Sequence, residues 1–267
     1  MISILLFQGC EPIEDRMELG NPVQEDQLDI SATVVEVNGI KTNKVILNNK
    51  SPLLTKWNYG TGTSLRKSDT VLMVKTGDNN IRFIGLNPDG TEVNKSLSVS
   101  VDSLYFEVPL EWGMLTDGEA KTWVWDTSKA AVWGNGGYMG SNGPEWWTLQ
   151  EADINGQAPG EGVGAKMIFE LEDAKLTKEY ADGKKETGKF SFNMEKTITL
   201  ENGTVWAKGK LTTNGVTVLC GISPNENGAP VYEYDILVIN DKELVLSYPE
   251  PGAQLWGTAW FWNFKAQ

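Results

Sequence analysis

Short runs of alternating apolar and polar residues dominate the chain from residue 30 onward. In the first part of the chain these runs are ISATVVEV, NKVILNN, TVLMVK, IRFIGLN and SLSVSV. They are rich in β-branched residues and are separated by Asn, Gly, Asp and Pro, which is typical of short strands joined by turns. No stretch in this region has helical periodicity. The pattern predicts an antiparallel β-sandwich over residues 30–103.

A second series of candidate strands follows residue 120. Its members are KTWVWD, AKMIFELED, GKFSFNM, TITLEN, TVWAKGKL, VTVLCGI, VYEYDILVIN, ELVLSY and LWGTAWFWNFK. The pairs Asp182-Gly183, Asn202-Gly203, Asn214-Gly215 and Asn227-Gly228 between them tolerate the positive φ angles of tight hairpins. We therefore expect an all-β chain in which the sandwich is followed by a larger jelly-roll β-sandwich over residues 104–267.

The first residues differ from the rest. MISILLFQG is a short apolar run that ends in a small residue before Cys10. This indicates the end of a lipoprotein signal over residues 1–10, with Cys10 as the lipidated residue, although the usual basic n-region is missing. The run is too short for a transmembrane helix. Residues 11–29 are rich in acids and poor in apolar residues, which predicts a flexible acidic tether.

Charge and composition exclude several functions. The formal net charge of the 267 residues is −13, which disfavours binding to a phosphate backbone. The chain contains no histidine, so neither a Ser-His-Asp arrangement nor an imidazole zinc site can form. An enzyme built from this chain would move protons with Asp, Glu, Tyr or Lys. Cys220 lies in an apolar run and is expected to be buried. We therefore do not expect it to form a disulfide with Cys10.

Tryptophan is the most informative residue type in this chain. Ten of the eleven tryptophans follow residue 110. Trp123 and Trp125 alternate on one candidate strand and are expected to face a core. In the last strand, one face carries Trp256, Thr258, Trp260, Trp262 and Phe264. We interpret that face as a core wall, with an exposed platform for an extended glycan as the alternative.

The segment 126–157 reads as a long, glycine-rich loop, and such loops are either functional or mobile. An indole has a flat apolar face that matches the C–H face of a pyranose ring. The stacking candidates on this loop are Trp133, Tyr138, Trp146 and Trp147, and the candidates for hydrogen bonds to hydroxyls are Asn135, Asn142 and Glu145. Adjacent residues of an extended segment point in opposite directions, so one of Trp146 and Trp147 should enter the core. The alternative is that the loop folds back and plugs one end of the domain.

The acidic residues give weaker signals. Glu170 and Glu172 would share a strand face, as a glycoside hydrolase acid pair requires, but they continue into a charged hairpin and are interpreted as solvated. A structural calcium ion is possible at Asp117, Asp126 and Asp153, although their spacing matches no EF-hand. No other cofactor is expected, since the chain has no P-loop and no dinucleotide fingerprint.

The first domain resembles the PKD family of immunoglobulin-like domains. The resemblance covers residues 30–102 and rests on the stretch from Trp57 to Gly60 and on the strand and glycine hairpin at 87–90. It implies a spacer domain in which Trp57 packs in the core.

The order of parts resembles the surface glycan-binding lipoproteins of Bacteroidetes polysaccharide-utilisation systems, at the SusE/SusF position. These parts are a lipidated Cys10 with an acidic tether, a PKD-like spacer and a Trp-rich C-terminal sandwich. The resemblance implies an outer-membrane lipoprotein, facing the cell surface and attached by its lipid alone. It also implies non-catalytic binding of a neutral polysaccharide or oligosaccharide, which is passed to an outer-membrane transporter or surface hydrolase. Two alternatives remain, a jelly-roll glycoside hydrolase with paired carboxylates and a surface adhesion or protein-interaction module.

Overall fold

The computed structural model describes residues 21–267 and confirms the all-β class. The predicted signal remnant, its lipidation residue Cys10 and the first part of the tether lie outside the described residues. The strands are β1 (Ile30–Val37), β2 (Ile40–Asn49), β3 (Leu54–Asn58), β4 (Thr63–Ser64), β5 (Ser68–Leu72), β6 (Gly77–Leu86), β7 (Glu92–Val101), β8 (Ala120–Trp125), β9 (Trp133–Gly137), β10 (Trp147–Leu149), β11 (Lys166–Glu170), β12 (Lys175–Glu179), β13 (Lys185–Asn193), β14 (Ile198–Thr199), β15 (Val205–Ala207), β16 (Gly209–Asn214), β17 (Ile222–Ser223), β18 (Ala229–Pro230), β19 (Glu233–Ile239), β20 (Glu243–Pro249) and β21 (Thr258–Ala266). One α-helix, α1 (Glu111–Thr116), precedes β8, and short 3₁₀ turns occupy Glu25–Gln27, Glu151–Gly156, Glu172–Ala174 and Pro224–Glu226.

The first domain is a sandwich of two antiparallel sheets, in the orders β1-β2-β5 and β4-β3-β6-β7. Trp57 is fully buried between them, meets the Phe83 ring edge-on at 4.8 Å and donates its indole N–H to the Arg66 carbonyl. The expected core role of Trp57 is therefore confirmed. Residues 21–29 differ from the flexible tether predicted for them, because Val23 and Leu28 pack against this core.

The second domain is a closed barrel. Eight strands pair in chain order, β8-β11-β12-β13-β16-β19-β20-β21, and β21 pairs back with β8. The jelly roll predicted for residues 104–267 is not found, since its connections would cross between two sheets, whereas here they join neighbours. Alternation along a strand shows which face is buried but does not show which strands pair, so the sequence could not separate the two arrangements.

The long segment after β8 contains paired strands as well as loops. β9 continues along β21 beyond β8, with Trp133 opposite Trp262 and Gly137 opposite Thr258. β10 then pairs antiparallel with β9. Residues 126–132 form a loop between β8 and β9, and Asp126 donates its backbone N–H to the Asn263 carbonyl at 2.9 Å. The face on which each β9 side chain lies is therefore fixed by β21.

The barrel interior is filled by large aromatic side chains. Trp123, Trp125 and Trp262 are buried, as are the rings of Phe169 and Tyr234. The three indole N–H groups donate to the carbonyls of Leu115, Glu161 and Cys220, respectively. The core roles predicted for Trp123, Trp125, Trp260, Trp262, Phe264 and Cys220 are confirmed.

Strand direction assigns the barrel connections to two ends. The segments 171–174, 194–208 and 240–242 lie at the same end as α1, and Asp173 there accepts hydrogen bonds from Asn58 and Arg82 of the first domain. The segments 126–165, 180–184, 215–232 and 250–257 lie at the opposite end, which we call the rim. None of the helices in residues 21–267 has the length and apolar character needed to cross a membrane.

Candidate functional site

Three tryptophans are exposed, and all three belong to rim connections. The exposed fractions are 52% for Trp146, 40% for Trp147 and 57% for Trp256, whereas the other eight tryptophans are buried. Large exposed aromatic side chains that gather on one surface mark a binding site more often than scattered ones do. The rim is therefore the candidate site.

Trp256 is held over two glycines. Its φ of +65° turns it out of the register of β21, and its backbone N–H donates to the Tyr138 carbonyl at 2.9 Å. A Cβ placed on Gly140 would come within 2.6 Å of the Trp256 indole, and one placed on Gly137 would come within 2.4 Å of it. The indole therefore lies flat on a stretch of backbone that only glycine leaves open. The sequence reading of Trp256 as part of the core face was wrong, since strand pairing begins only at Thr258.

Trp146 flanks the same glycine. A Cβ on Gly137 would lie 3.3 Å from Trp146 Cζ2, so the indoles of Trp146 and Trp256 stand over one glycine. The backbone N–H groups of Glu145 and Trp146 both donate to the Asn135 carbonyl, at 2.9 and 3.0 Å. These bonds hold the turn that presents Trp146 to solvent.

Asn135 and Glu145 also take part in organising this turn. The Asn135 side-chain oxygen accepts the backbone N–H of Trp147 at 3.0 Å, and Glu145 Oε2 accepts the Ser141 hydroxyl at 2.8 Å. Asn142 is exposed nearby in the chain. The side-chain oxygen of Asn135 is therefore used by a backbone hydrogen bond, whereas Glu145 remains exposed beside the indoles.

Trp147 links the exposed surface to the core. Its ring meets Trp133 edge-on at 5.7 Å and Trp260 edge-on at 6.0 Å. The rings of Trp133 and Trp260 stack on each other at 5.1 Å. Trp133 is fully buried, so the prediction that it stacks on a sugar was wrong: pairing of β9 with β21 turns it into the barrel. Of the adjacent pair, Trp147 leans on the core and Trp146 faces outward, but neither is sealed inside.

Tyr138 lies in an outer apolar layer. Its ring meets Trp206 edge-on at 5.2 Å and packs with Phe261 and neighbouring side chains on the outside of the barrel. Burial, together with the negative charge of Asp235, raises the pKa of the Tyr138 hydroxyl. Half-buried in this layer, Tyr138 is not one of the three exposed rings.

A polar group that the sequence reading missed adjoins these rings. Glu250 Oε1 accepts the Trp260 indole N–H at 3.2 Å and the Asn225 amide at 2.6 Å. Tyr248 stands opposite Trp260 in the sheet and donates its hydroxyl to Glu226 Oε2 at 2.9 Å. Burial, followed by this hydrogen bond and the two carboxylate charges, raises the pKa of Tyr248 to about 12. The sequence signal that could have identified Glu226 and Glu250 is the acid that each of two Pro-containing turns carries, PNEN and YPEP.

The other acidic candidates have local structural partners. Asp126 accepts the Ser128 hydroxyl, and Asp117 ends α1 in a left-handed conformation. Glu170 pairs with Lys175 at 2.8 Å, at the end of the barrel that faces the first domain. Within residues 21–267 no three Asp, Glu or Cys side chains gather in a way that could hold a metal ion.

Among the clefts of residues 21–267 are two that lie between the domains. One is lined by Tyr59, Met73 and Glu119, and the other by Lys56, Arg82 and Lys189. Neither is lined by a tryptophan. The chain matches no protein-family model and no curated protein. The site is therefore assigned from its own geometry.

Proposed function

We propose that the rim binds a neutral polysaccharide or oligosaccharide without cleaving it, by stacking sugar rings on Trp146, Trp147 and Trp256. The observation that carries this proposal is the gathering of three exposed indoles on adjacent connections of a barrel whose interior is packed. A surface site suits a polymer, because a chain that continues past the site cannot enter a closed cavity.

The energetics favour weak single-site binding. Each stacked indole contributes about 2 kcal/mol, by analogy with aromatic anchors at other interfaces. A shallow surface gains little beyond the cost of association. Repeated engagement along one polymer raises the apparent affinity.

The remaining parts of the proposal concern context. We propose that the first domain is a PKD-like, immunoglobulin-like spacer, and that Cys10 anchors the chain as an outer-membrane lipoprotein at the cell surface. The partner would be an outer-membrane transporter or surface hydrolase of the same polysaccharide-utilisation system. The first domain packs at the end of the barrel opposite the rim, which supports an arrangement in which the rim points away from the anchor.

One observation favours a second candidate function. Glu226 and Glu250 are both close to Tyr248, beside the aromatic surface, and glycoside hydrolysis requires two carboxylates. Steady release of reducing sugar from a bound polysaccharide would support hydrolysis over simple binding. The acid pair Glu170 and Glu172, considered from the sequence, lies at the opposite end of the barrel.

The proposal is tested by affinity electrophoresis in gels that contain mixed-linkage glucan, laminarin, xyloglucan, mannan or starch. We expect at least one of these to retard the protein, and the double variant Trp146→Ala/Trp256→Ala to migrate as in an empty gel. Tyr105→Ala removes an exposed aromatic ring far from the rim and should bind like the wild type. Retardation of the double variant equal to that of the wild type would contradict the proposal.

A further inference from the structure

The polar group beside the rim tryptophans has unused hydrogen-bonding capacity. Glu250 accepts through Oε1, and Glu226 accepts through Oε2. Within the described part of the chain, the other oxygen of each carboxylate has no hydrogen-bond partner. A carboxylate has about four acceptor positions, so each can take further donors. Both side chains are partly exposed, which leaves these positions open to a ligand.

Two buried polar atoms next to this group also lack partners. Trp133 Nε1, in the ring that stacks on Trp260, and Ser223 Oγ, in the strand just before Asn225 and Glu226, are both buried. Neither has a hydrogen-bond partner among residues 21–267. Buried polar groups are nearly always satisfied, and the indoles of Trp123, Trp125 and Trp262 all are. The packing around this polar group therefore leaves hydrogen-bonding capacity unused in its buried layer as well as at its exposed carboxylates.

The charge of this group is also unbalanced. Several acids elsewhere on the barrel have lysine partners, such as Glu243 with Lys129 at 2.5 Å and Glu170 with Lys175 at 2.8 Å. No lysine or arginine of the described chain lies within salt-bridge distance of Glu226 or Glu250. Negative charge without a compensating cation repels an anionic ligand and attracts the hydrogen-bond donors of a neutral one.

We infer that Glu226 and Glu250, with Asn225 and Tyr248, form the polar subsite of the rim, which binds the hydroxyl groups of an uncharged sugar and excludes uronic-acid and sulfated glycans. This inference rests on the proposed function and adds the residues that select an uncharged ligand and the charged glycans that they exclude. Trp260 joins the two parts of this site, because its ring meets Trp147 edge-on at 6.0 Å and its indole N–H donates to Glu250. The apolar face and the hydroxyl edge of one pyranose are thus recognised by neighbouring side chains.

The test compares one polymer with and without charge. The probe is whichever of the five gel polysaccharides retards the wild type most, used as such and after chemical sulfation. The variants are Glu226→Gln/Glu250→Gln and, as controls, Asp241→Asn and Glu201→Gln/Asp241→Asn, the second of which makes the same change in net charge. Asp241 is 83% exposed in its side chain and lies in the turn at the opposite end of the barrel.

We expect the wild type to bind the neutral polymer about tenfold more tightly than its sulfated form. The two carboxylates accept hydrogen bonds from hydroxyl groups and repel sulfate groups. In Glu226→Gln/Glu250→Gln we expect neutral binding to weaken several-fold and the discrimination to fall to about twofold. Both control variants should keep the wild-type ratio.

The outcomes separate the two proposals. Loss of binding in Trp146→Ala/Trp256→Ala, with wild-type affinity and discrimination in Glu226→Gln/Glu250→Gln, would overturn the polar subsite and leave the stacking site intact. Equal binding of both polymer forms by the wild type would also overturn the subsite. Absence of retardation by every panel member would overturn the proposed function, and the subsite with it.

Discussion

The barrel interior and the barrel rim are both rich in tryptophan, but they use the residue in opposite ways. Inside, Trp125 and Trp262 are buried on paired strands, and each indole N–H donates to a backbone carbonyl. At the rim, Trp146 and Trp256 lie on connections, and half or more of each side chain meets solvent. The difference teaches that strand pairing, rather than residue type, decides whether an indole stabilises the fold or presents a surface.

The largest expected effect is on stability, from a substitution inside the barrel. Trp262→Ala removes a fully buried indole that packs on Tyr234 at 5.3 Å, and should lower the free energy of unfolding by about 3–5 kcal/mol. Urea denaturation followed by tryptophan fluorescence measures this loss. The matched rim variant, Trp256→Ala, should cost less than about 1 kcal/mol. Equal losses in the two variants would erase the distinction between interior and rim.

A buried ion pair should give the next largest effect. Glu161 and Lys178 pair at 2.9 Å with almost fully buried side chains, and Glu161 also accepts the backbone N–H of Cys220. Glu161→Ala leaves the lysine charge buried without a partner and should cost about 3 kcal/mol. The double variant Glu161→Met/Lys178→Met should recover part of that loss in the same urea assay. A single variant as stable as the wild type would show that this pair does not hold the segments beneath the rim.

A glycine substitution tests the rim without removing any indole. Gly137→Ala puts a Cβ 2.4 Å from the Trp256 ring and 3.3 Å from the Trp146 ring, so both rings must move. We expect glycan affinity to fall about tenfold with little change in the urea midpoint, because misplaced stacking groups lose contact area. Gly143→Ala is the control in the same connection, since its Cβ would meet nothing closer than 3.8 Å. Equal affinity of the two variants would contradict the assigned roles of Trp146 and Trp256.

The smallest expected effect is on the pH dependence of stability, and it comes from Asp235 on the outside of the barrel. Burial raises the pKa of Asp235, whereas Lys210, whose Nζ lies 3.4 Å from Asp235 Oδ1, opposes the shift. A carboxyl whose pKa is raised on folding destabilises the fold as pH rises through the ordinary aspartate range. Asp235→Asn should therefore be slightly more stable than the wild type at neutral pH, and this gain should vanish in acid. A gain that grows on acidification would contradict the sign of the shift.

Much of the interior could be predicted from alternation alone. Trp123 and Trp125 share a strand face with period two, and so do Trp260, Trp262 and Phe264, and all five are buried. The burial of Trp57 and Cys220 followed from apolar strand-like surroundings in the same way. These predictions held because one buried face is enough to fix a strand's orientation.

The rim could not be predicted to the same extent, because its geometry depends on contacts distant in sequence. Trp133 lies in a glycine-rich stretch that reads as a loop, yet pairing with β21 buries it. Trp256 continues the alternation of the last strand, yet a left-handed residue conformation takes it out of the sheet. Glu226 and Glu250 are 24 residues apart in the chain, and their turns are joined by the hydrogen bonds of Asn225 to Glu250 and of Tyr248 to Glu226.

The most direct test of the central claim is a titration of the ¹⁵N-labelled protein with an oligosaccharide of the retained polysaccharide, followed through the eleven indole N–H signals. Single Trp→Phe variants assign the signals. The account predicts that the signals of Trp146, Trp147 and Trp256 shift with one binding curve while those of Trp57, Trp123 and Trp125 stay fixed. Saturable binding that leaves the three rim signals unmoved would contradict it.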